Sequence, residues 1–487
     1  MKRKFKVITS FVLALVLFLS STGIVYAAPP SKPGGESGGG APGSSSSSSV
    51  SYTGNTTITS DTTNSNSTYS STTGSENALL VSGGTSTLTS PTVTKSGDSS
   101  GDEADFYGTN AAVLAYNNAT LNINGGTITT NGSHANAVFA YGTGIINITD
   151  TTIKTSSNNS GGVMVTGGGT LTATNLTVET SGNSSASIRS DRGGGTLTVN
   201  GGTYKTTGTG SPAIYSTADI TVNNATLEST SSEGVVVEGA NSVTLNNVTL
   251  TDTNNTLNGN SETYKNIFLY QSMSGDADSG NASFTATDST IITNQGDTFF
   301  VTNTTATITL ENNTFTNTSG DFLRIQSGKW GSSGSNGGDV TLNLNNQKVE
   351  GNIIVDKIST LDMNLTSGSV YSGIINADNT AKEINLVLSS DSTIILTGDS
   401  YVSSLTNSDS TNSNIYLNGY KLYVDGKEVS GNTGEFDEEE LLIATNEEKE
   451  EDDKDNTLLY VIFSIAAVIV VAVISFIVIN KKNKKTI

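Results

Sequence analysis

The chain has no cysteine, one histidine and one tryptophan among 487 residues. Without cysteine there are no disulfides, thiol nucleophiles, iron–sulfur clusters or thiolate zinc sites. The single imidazole, His134, excludes a multi-histidine metal centre; it stands in the corner Asn-Gly-Ser-His134 and is assigned no role. Basic residues are scarce too, 24 against 45 acids, for a formal net charge of -21. That sign repels phosphate backbones and removes nucleic acid from the expected partners. Helical periodicity is almost absent between the two ends of the chain, which argues against a helical domain.

The ends state a location. Met1 opens a segment with Lys2, Arg3, Lys4 and Lys6, an apolar run from Phe11 to Leu19, and the small-residue close Val25-Tyr26-Ala27, the pattern of a secretory signal peptide. The uncharged run 458–479 would make about 33 Å of helix at roughly 1.5 Å per residue, enough to cross a hydrocarbon core. Lys481, Lys482, Lys484 and Lys485 follow it and an acid-rich stretch precedes it, so the N-terminal mass is expected outside and the basic tail inside. No Leu-Pro-x-Thr-Gly sorting signal precedes the run. An exported chain without cysteine suits a bacterial surface, with a Gram-positive cell membrane as the expected site.

Between the ends the chain repeats. Threonines 127, 152, 177, 203, 226 and 249 recur every 23 to 26 residues, each just after a turn such as Asn124-Gly-Gly-Thr127, and the pattern resumes at Thr290 and Thr314. A second marker, such as Ala112-Val-Leu-Ala-Tyr116 or Ala137-Val-Phe-Ala-Tyr141, runs in phase with it. Val, Ile, Thr, Tyr and Phe alternate between Gly, Asn, Asp and Ser corners, so each repeat is expected to hold three short strands. One repeat buries too little to order itself, and stacking must complete the core.

The rung length and the Asn-Gly-Gly-Thr corners at 124–127 and 200–203 resemble the right-handed parallel β-helix of pectin-lyase-like proteins, including adhesin-type bacterial surface proteins. The resemblance covers roughly residues 50–430 and implies an all-β solenoid of about 12 rungs. The expected organisation is a signal peptide (1–27), a Gly/Pro/Ser-rich leader (28–49), the β-helix (50–412), a hairpin cap (413–434), an acidic linker (435–457), a transmembrane helix (458–479) and a basic tail (480–487). The cap rests on Asn418-Gly419 and Asp425-Gly426, two-residue hairpin turns.

The first strand of each rung carries the candidate site. Its middle column, from Leu80, Leu114, Phe139, Met164, Ile188 and Ile214 to Leu323, is large and apolar, so it is read as pointing inward. The flanking columns then face out and form an apolar surface. That surface is either a binding face for an extracellular glycan or surface protein, anchored by Arg189, Tyr215, Arg324 and Trp330, or a face covered by insertions near 97–108, 251–265 and 327–338. Asp102, Glu103 and Asp105, and separately Asp276 and Asp278, are oxygen-ligand clusters on expected loops that could hold Ca²⁺; neither completes a calcium-loop motif. The function expected is that of a membrane-anchored adhesin without cofactor. The alternatives are a polysaccharide lyase or glycoside hydrolase centred on Arg189, Asp191 and Arg192, and a structural spacer.

Overall fold

The computed structural model describes residues 50–257, 263–319, 321–434 and 436. The expected signal peptide, leader and membrane helix, and nearly all of the acidic linker, lie outside these residues. Among the described residues no helix is long and apolar enough to cross a membrane.

The chain winds as an all-β, right-handed-type parallel β-helix. Its first face is a sheet of 12 parallel strands, from Gly54–Ile58 to Asn352–Val355. The rest of each rung supplies a sheet of 22 strands, usually two per rung on either side of a corner. The threonine marker reads the register directly: Thr127, Thr152, Thr177, Thr203, Thr226, Thr249, Thr290 and Thr314 are successive ladder partners.

The corner has one cause. Two residues before each of these threonines the backbone enters the left-handed region, at Gly125, Asp150, Asn175, Gly201, Asn224, Asn247, Asp288 and Asn312. Only Gly, Asn and Asp visit that region at low cost, which is why the turns draw on these residues and little else. Asn224 and Asn247 also stack, the Nδ2 of Asn247 donating to the Oδ1 of Asn224 at 2.8 Å.

The solenoid has about 15 turns rather than the 12 expected. The apolar marker strand ends near Asp321, yet the first face takes one more strand at Asn352–Val355 and the chain keeps winding past it. Lys348–Glu350, Val370–Gly373, Thr393–Leu396 and Ile415–Tyr416 form a further four-stranded parallel sheet. Beyond them Leu422–Val424 and Lys427–Val429 close an antiparallel hairpin through Asp425-Gly426. The Asn418-Gly419 turn does not make a hairpin. It passes the chain from one sheet to another, because Leu422–Val424 pairs in parallel with Ser400–Val402.

The inward column of the first face is corrected by one residue. Leu79 and Val81, Val113 and Ala115, Val138 and Ala140, and Val163 and Val165 point into the central core. Leu80, Leu114, Phe139 and Met164 point away from it and form a cluster of their own with Ala111, Tyr52, Tyr116 and Tyr141. The alignment also slips: Met164 pairs with Arg189, and Arg189 with Tyr215, while Ile188 and Ile214 continue the core column of Val163. Phe300 likewise pairs with Arg324, and Leu323 with Phe299. Three apolar residues in succession carry no alternation, so the pattern does not say which side faces the core.

The outer side is buried because the chain covers it. Helix α1 (Asp102–Tyr107) lies over the first cluster, held where the Thr166 hydroxyl donates to the Phe106 carbonyl at 2.6 Å. Gly108, at φ +72°, ends α1 against the Phe139 ring, where a Cβ would meet Cγ at 2.8 Å. A second cluster of Val236, Phe268, Tyr270 and Phe300 packs against Trp330, whose ring lies 5.3 Å from that of Tyr270. Insertions 97–108 and 327–338 therefore supply covers, and the segment 271–280, not foreseen as one, supplies another.

Replacing Asn224 by valine puts a β-branched residue at φ 54° and should cost about 1–3 kcal/mol, whereas Asn224→Gly should stay within about 1 kcal/mol. Urea unfolding midpoints check the order; equal losses would mean that the left-handed corner does not select the residue.

Candidate functional site

Midway along the covered face the outward column turns from apolar to polar, at Arg189 and Tyr215, between the two apolar clusters. Here α1 lies on one side and the 271–280 segment on the other. They leave a cleft of about 470 Å³ lined by Phe106, Tyr107, Tyr141, Arg192, Asn241, Asp276 and Asp278 with a glycine rim at 193–194. Gly193 and Gly194 have positive φ, which lets the chain turn tightly after Arg192 and aim that side chain into the cleft.

Arg192 joins the two walls. Its Nη1 donates to Asp102 Oδ2 at 3.0 Å and its Nε to Asp276 Oδ1. Its guanidinium lies 4.0 Å from the centroid of the Phe106 ring, a cation–π contact from a half-buried charge. Tyr107 and Tyr141 make the aromatic edge of the cleft, with ring centroids 5.5 Å apart in an edge-to-face arrangement.

A second charged layer lies below. Arg189, 8% exposed, pairs with Asp191 at 2.9 Å and donates to the Ser184 carbonyl at 3.4 Å. Burial pushes the Asp191 carboxyl up to about 6, outweighing the field of Arg189. Glu238, 1% exposed, accepts from Tyr215 at 2.5 Å, from Tyr270 at 2.8 Å and from Ser272. Burial raises its carboxyl, against the pull of these donors.

The sequence-predicted residues are thus partly gathered. Asp102 and Asp276, read as belonging to two separate clusters, meet on one guanidinium, and Asp278 stands exposed on the same cleft. Arg189 and Tyr215 lie in the layer beneath, not on an open surface. Glu103 is exposed on α1, and Asp105 pairs with His134 at 2.7 Å. Arg324 is elsewhere, held by Asp297 and Asp321; Trp330 is part of the aromatic cover. Among the described residues no group of three or more His, Asp and Glu is placed to hold a metal ion. Of the acids named for calcium, Asp102 and Asp276 each give an oxygen to Arg192 and Asp105 one to His134, while Glu103 and Asp278 are exposed.

Sequence reasoning missed Glu238, Tyr270, Phe106, Tyr107 and Tyr141. The one available signal was Glu238 itself, an acid ending the run Val235-Val-Val that otherwise reads as buried strand. Comparison of the chain with family models, curated proteins and solved structures found no match, and the geometry carries the functional reading.

Asp191 gives a pH test. Its carboxyl titrates at 3.8 when unperturbed and at about 6 in the fold, so the native state binds this proton more tightly than the unfolded chain. The stability contributed by that proton is complete below the unfolded value and is lost as pH rises through the folded one. Urea midpoints across this window should fall less steeply with pH in Asp191→Asn than in the parent; parallel slopes would exclude Asp191 as the source.

Breaking the Arg192 bridge should loosen both walls. In Arg192→Ala, amide exchange is expected to speed up in 102–107 and 271–280 while the threonine ladder keeps its protection. Unchanged exchange in both walls would show that their own packing suffices.

Proposed function

We propose that the protein is a surface-displayed glycan-binding protein, an adhesin, that holds a neutral sugar chain in the cleft between α1 and the 271–280 segment. The observation that carries this reading is the lining: aromatic rings on one wall, and Arg192, Asn241, Asp276 and Asp278 converging on the other. Sugars present apolar C–H faces that lie on aromatic rings and hydroxyl edges that need fixed donors and acceptors, and this lining offers both. The volume falls within the roughly 300 to 1,000 Å³ of small-ligand sites. The acidic chain and the exposed Asp278 disfavour polyanionic glycans.

Display follows from the ends of the chain. The signal-peptide pattern at 1–27 sends the solenoid across the membrane, and the run 458–479 retains it there with residues 480–487 inside. The β-helix then serves as a rigid rod that carries the cleft on its flank.

Binding is favoured over cleavage because, among the described residues, Asp278 is the one exposed carboxylate lining the cleft. Asp191 is ion-paired with Arg189, and Asp276 with Arg192, whereas glycoside hydrolysis needs two carboxyl groups facing the scissile bond.

The test is saturable binding of the full chain in detergent to a panel of neutral and acidic glycans, with and without calcium, while released sugars are measured. Neutral-glycan binding without products is expected, and Tyr107→Ala or Tyr141→Ala should weaken it by about tenfold or more, roughly 1.4 kcal/mol. Released products would replace this reading with a lyase or hydrolase, and no saturable binding at all would leave a spacer.

A further inference from the structure

Next to the covered face, and outside the cleft, a lysine and two acids are buried together. Lys265 is 2% exposed and Glu233 4%, and the Nζ of Lys265 is 3.4 Å from Oε1 of Glu233. The other oxygen of Glu233 accepts from the Ser232 hydroxyl at 2.8 Å, so Oε1 is the one presented to the amine. Nζ also donates to the Thr263 carbonyl at 3.2 Å and stands 4.6 Å and 5.3 Å from the ring centroids of Phe268 and Phe300.

Asp252 completes the group. It lies in the ladder between Ser229 and Thr293, and Thr293 accepts a hydrogen bond from Asn266, the neighbour of Lys265, at 3.0 Å. Asp252 is fully buried; its Oδ1 accepts from the Asn254 amide at 3.1 Å while its Oδ2 has no hydrogen-bond partner. Burial, reinforced by Glu233, pushes its carboxyl up to about 9, so it carries a proton at neutral pH. Asp297, the ladder partner of Lys265, is not available in the same way, because Arg324 holds both its oxygens.

We propose that Lys265 and Glu233 condense in the folded chain to form an intramolecular amide cross-link, with Asp252 as the proton-transfer group. Burial of both side chains removes the hydration that keeps an ammonium and a carboxylate apart in water, and condensation requires one proton to pass from the amine to the acid. The 3.4 Å contact is from Nζ to Oε1, which sets the amine against the carboxyl group whose Cδ it has to reach. The Nζ lone pair attacks Cδ of Glu233, forming the C–N bond and a tetrahedral centre. Asp252 gives its proton to the departing hydroxyl, the C–O bond breaks, one water leaves, and Asp252 recovers a proton from the nitrogen. Atoms balance as amine plus acid giving amide plus water, with no oxidant or reductant.

The position gives the cross-link a purpose. Between Thr249–Asp252 and Lys265–Tyr270 the repeat is interrupted by an insertion. An amide from Glu233 to Lys265 ties the rung before the insertion to the rung after it, where the ladder alone has to bridge the longest step in the threonine series.

The experiment is protease digestion of the full-length chain followed by tandem mass spectrometry. The expected product is a branched peptide joining the Glu233 and Lys265 segments, lighter than the two linear peptides together by one water, and absent from Lys265→Arg. Linear peptides alone from the parent chain would overturn the proposal, and that result needs no variant to fold. In Asp252→Asn, shown folded by circular dichroism, the branched fraction should drop at least about tenfold. Its persistence at the parent level would overturn the role of Asp252.

Discussion

The described solenoid depends on one repeated event, a rung laying its backbone on the rung before it in parallel register. A rung of some two dozen residues cannot retain its own shape, and its inner Leu, Ile and Val side chains gain a core only when the next rung closes over them. Register is kept by corners that turn at the same place each time. The left-handed residues at 125, 150, 175, 201, 224 and 247 act as that index, which explains a chain so rich in Asn, Gly and Thr and so poor in anything that would make a helix.

The first face adds a second layer of burial to this plan. A parallel sheet packed on one side only should alternate apolar and polar residues, yet here both sides are apolar. The outer side becomes two small cores, one under α1 and Tyr52, the other under Trp330 and its aromatic neighbours. Polar groups appear where these two covers leave a gap, at Arg189, Asp191, Glu238 and Arg192. Each buried charge there has a partner, as a low-dielectric site requires, and the groups that reach the gap define the cleft.

Much of the fold was legible in the sequence, and for a definite reason. Corner chemistry and the threonine column are local signals, and a solenoid repeats each local signal in register, so the spacing of Thr127, Thr152 and Thr177 translates directly into ladder partners. The site was less legible because it is made by segments distant in sequence. Asp102 and Asp276 read as two unrelated acidic loops, and nothing in either stretch signals that Arg192 would bridge them. Glu238 likewise looked like the polar end of a strand, since its partners Tyr215, Tyr270 and Ser272 come from neighbouring rungs.

The sequence by itself determined the strand-and-corner rhythm, the parallel β-helix and the register of its threonine ladder, because these follow from steric limits on single residues and from a period repeated many times. Only the tertiary structure decided which side of the first face meets the core, because a run such as Val113-Leu-Ala has no polar residue to break the symmetry. It also decided that the outer side is covered and that the chain winds for about 15 turns. The grouping of Arg192 with Asp102 and Asp276, and of Lys265 with Glu233 and Asp252, belongs to it as well. Such groupings depend on how insertions fold back across rungs, and the periodicity that makes the rest of the chain readable stops where insertions begin.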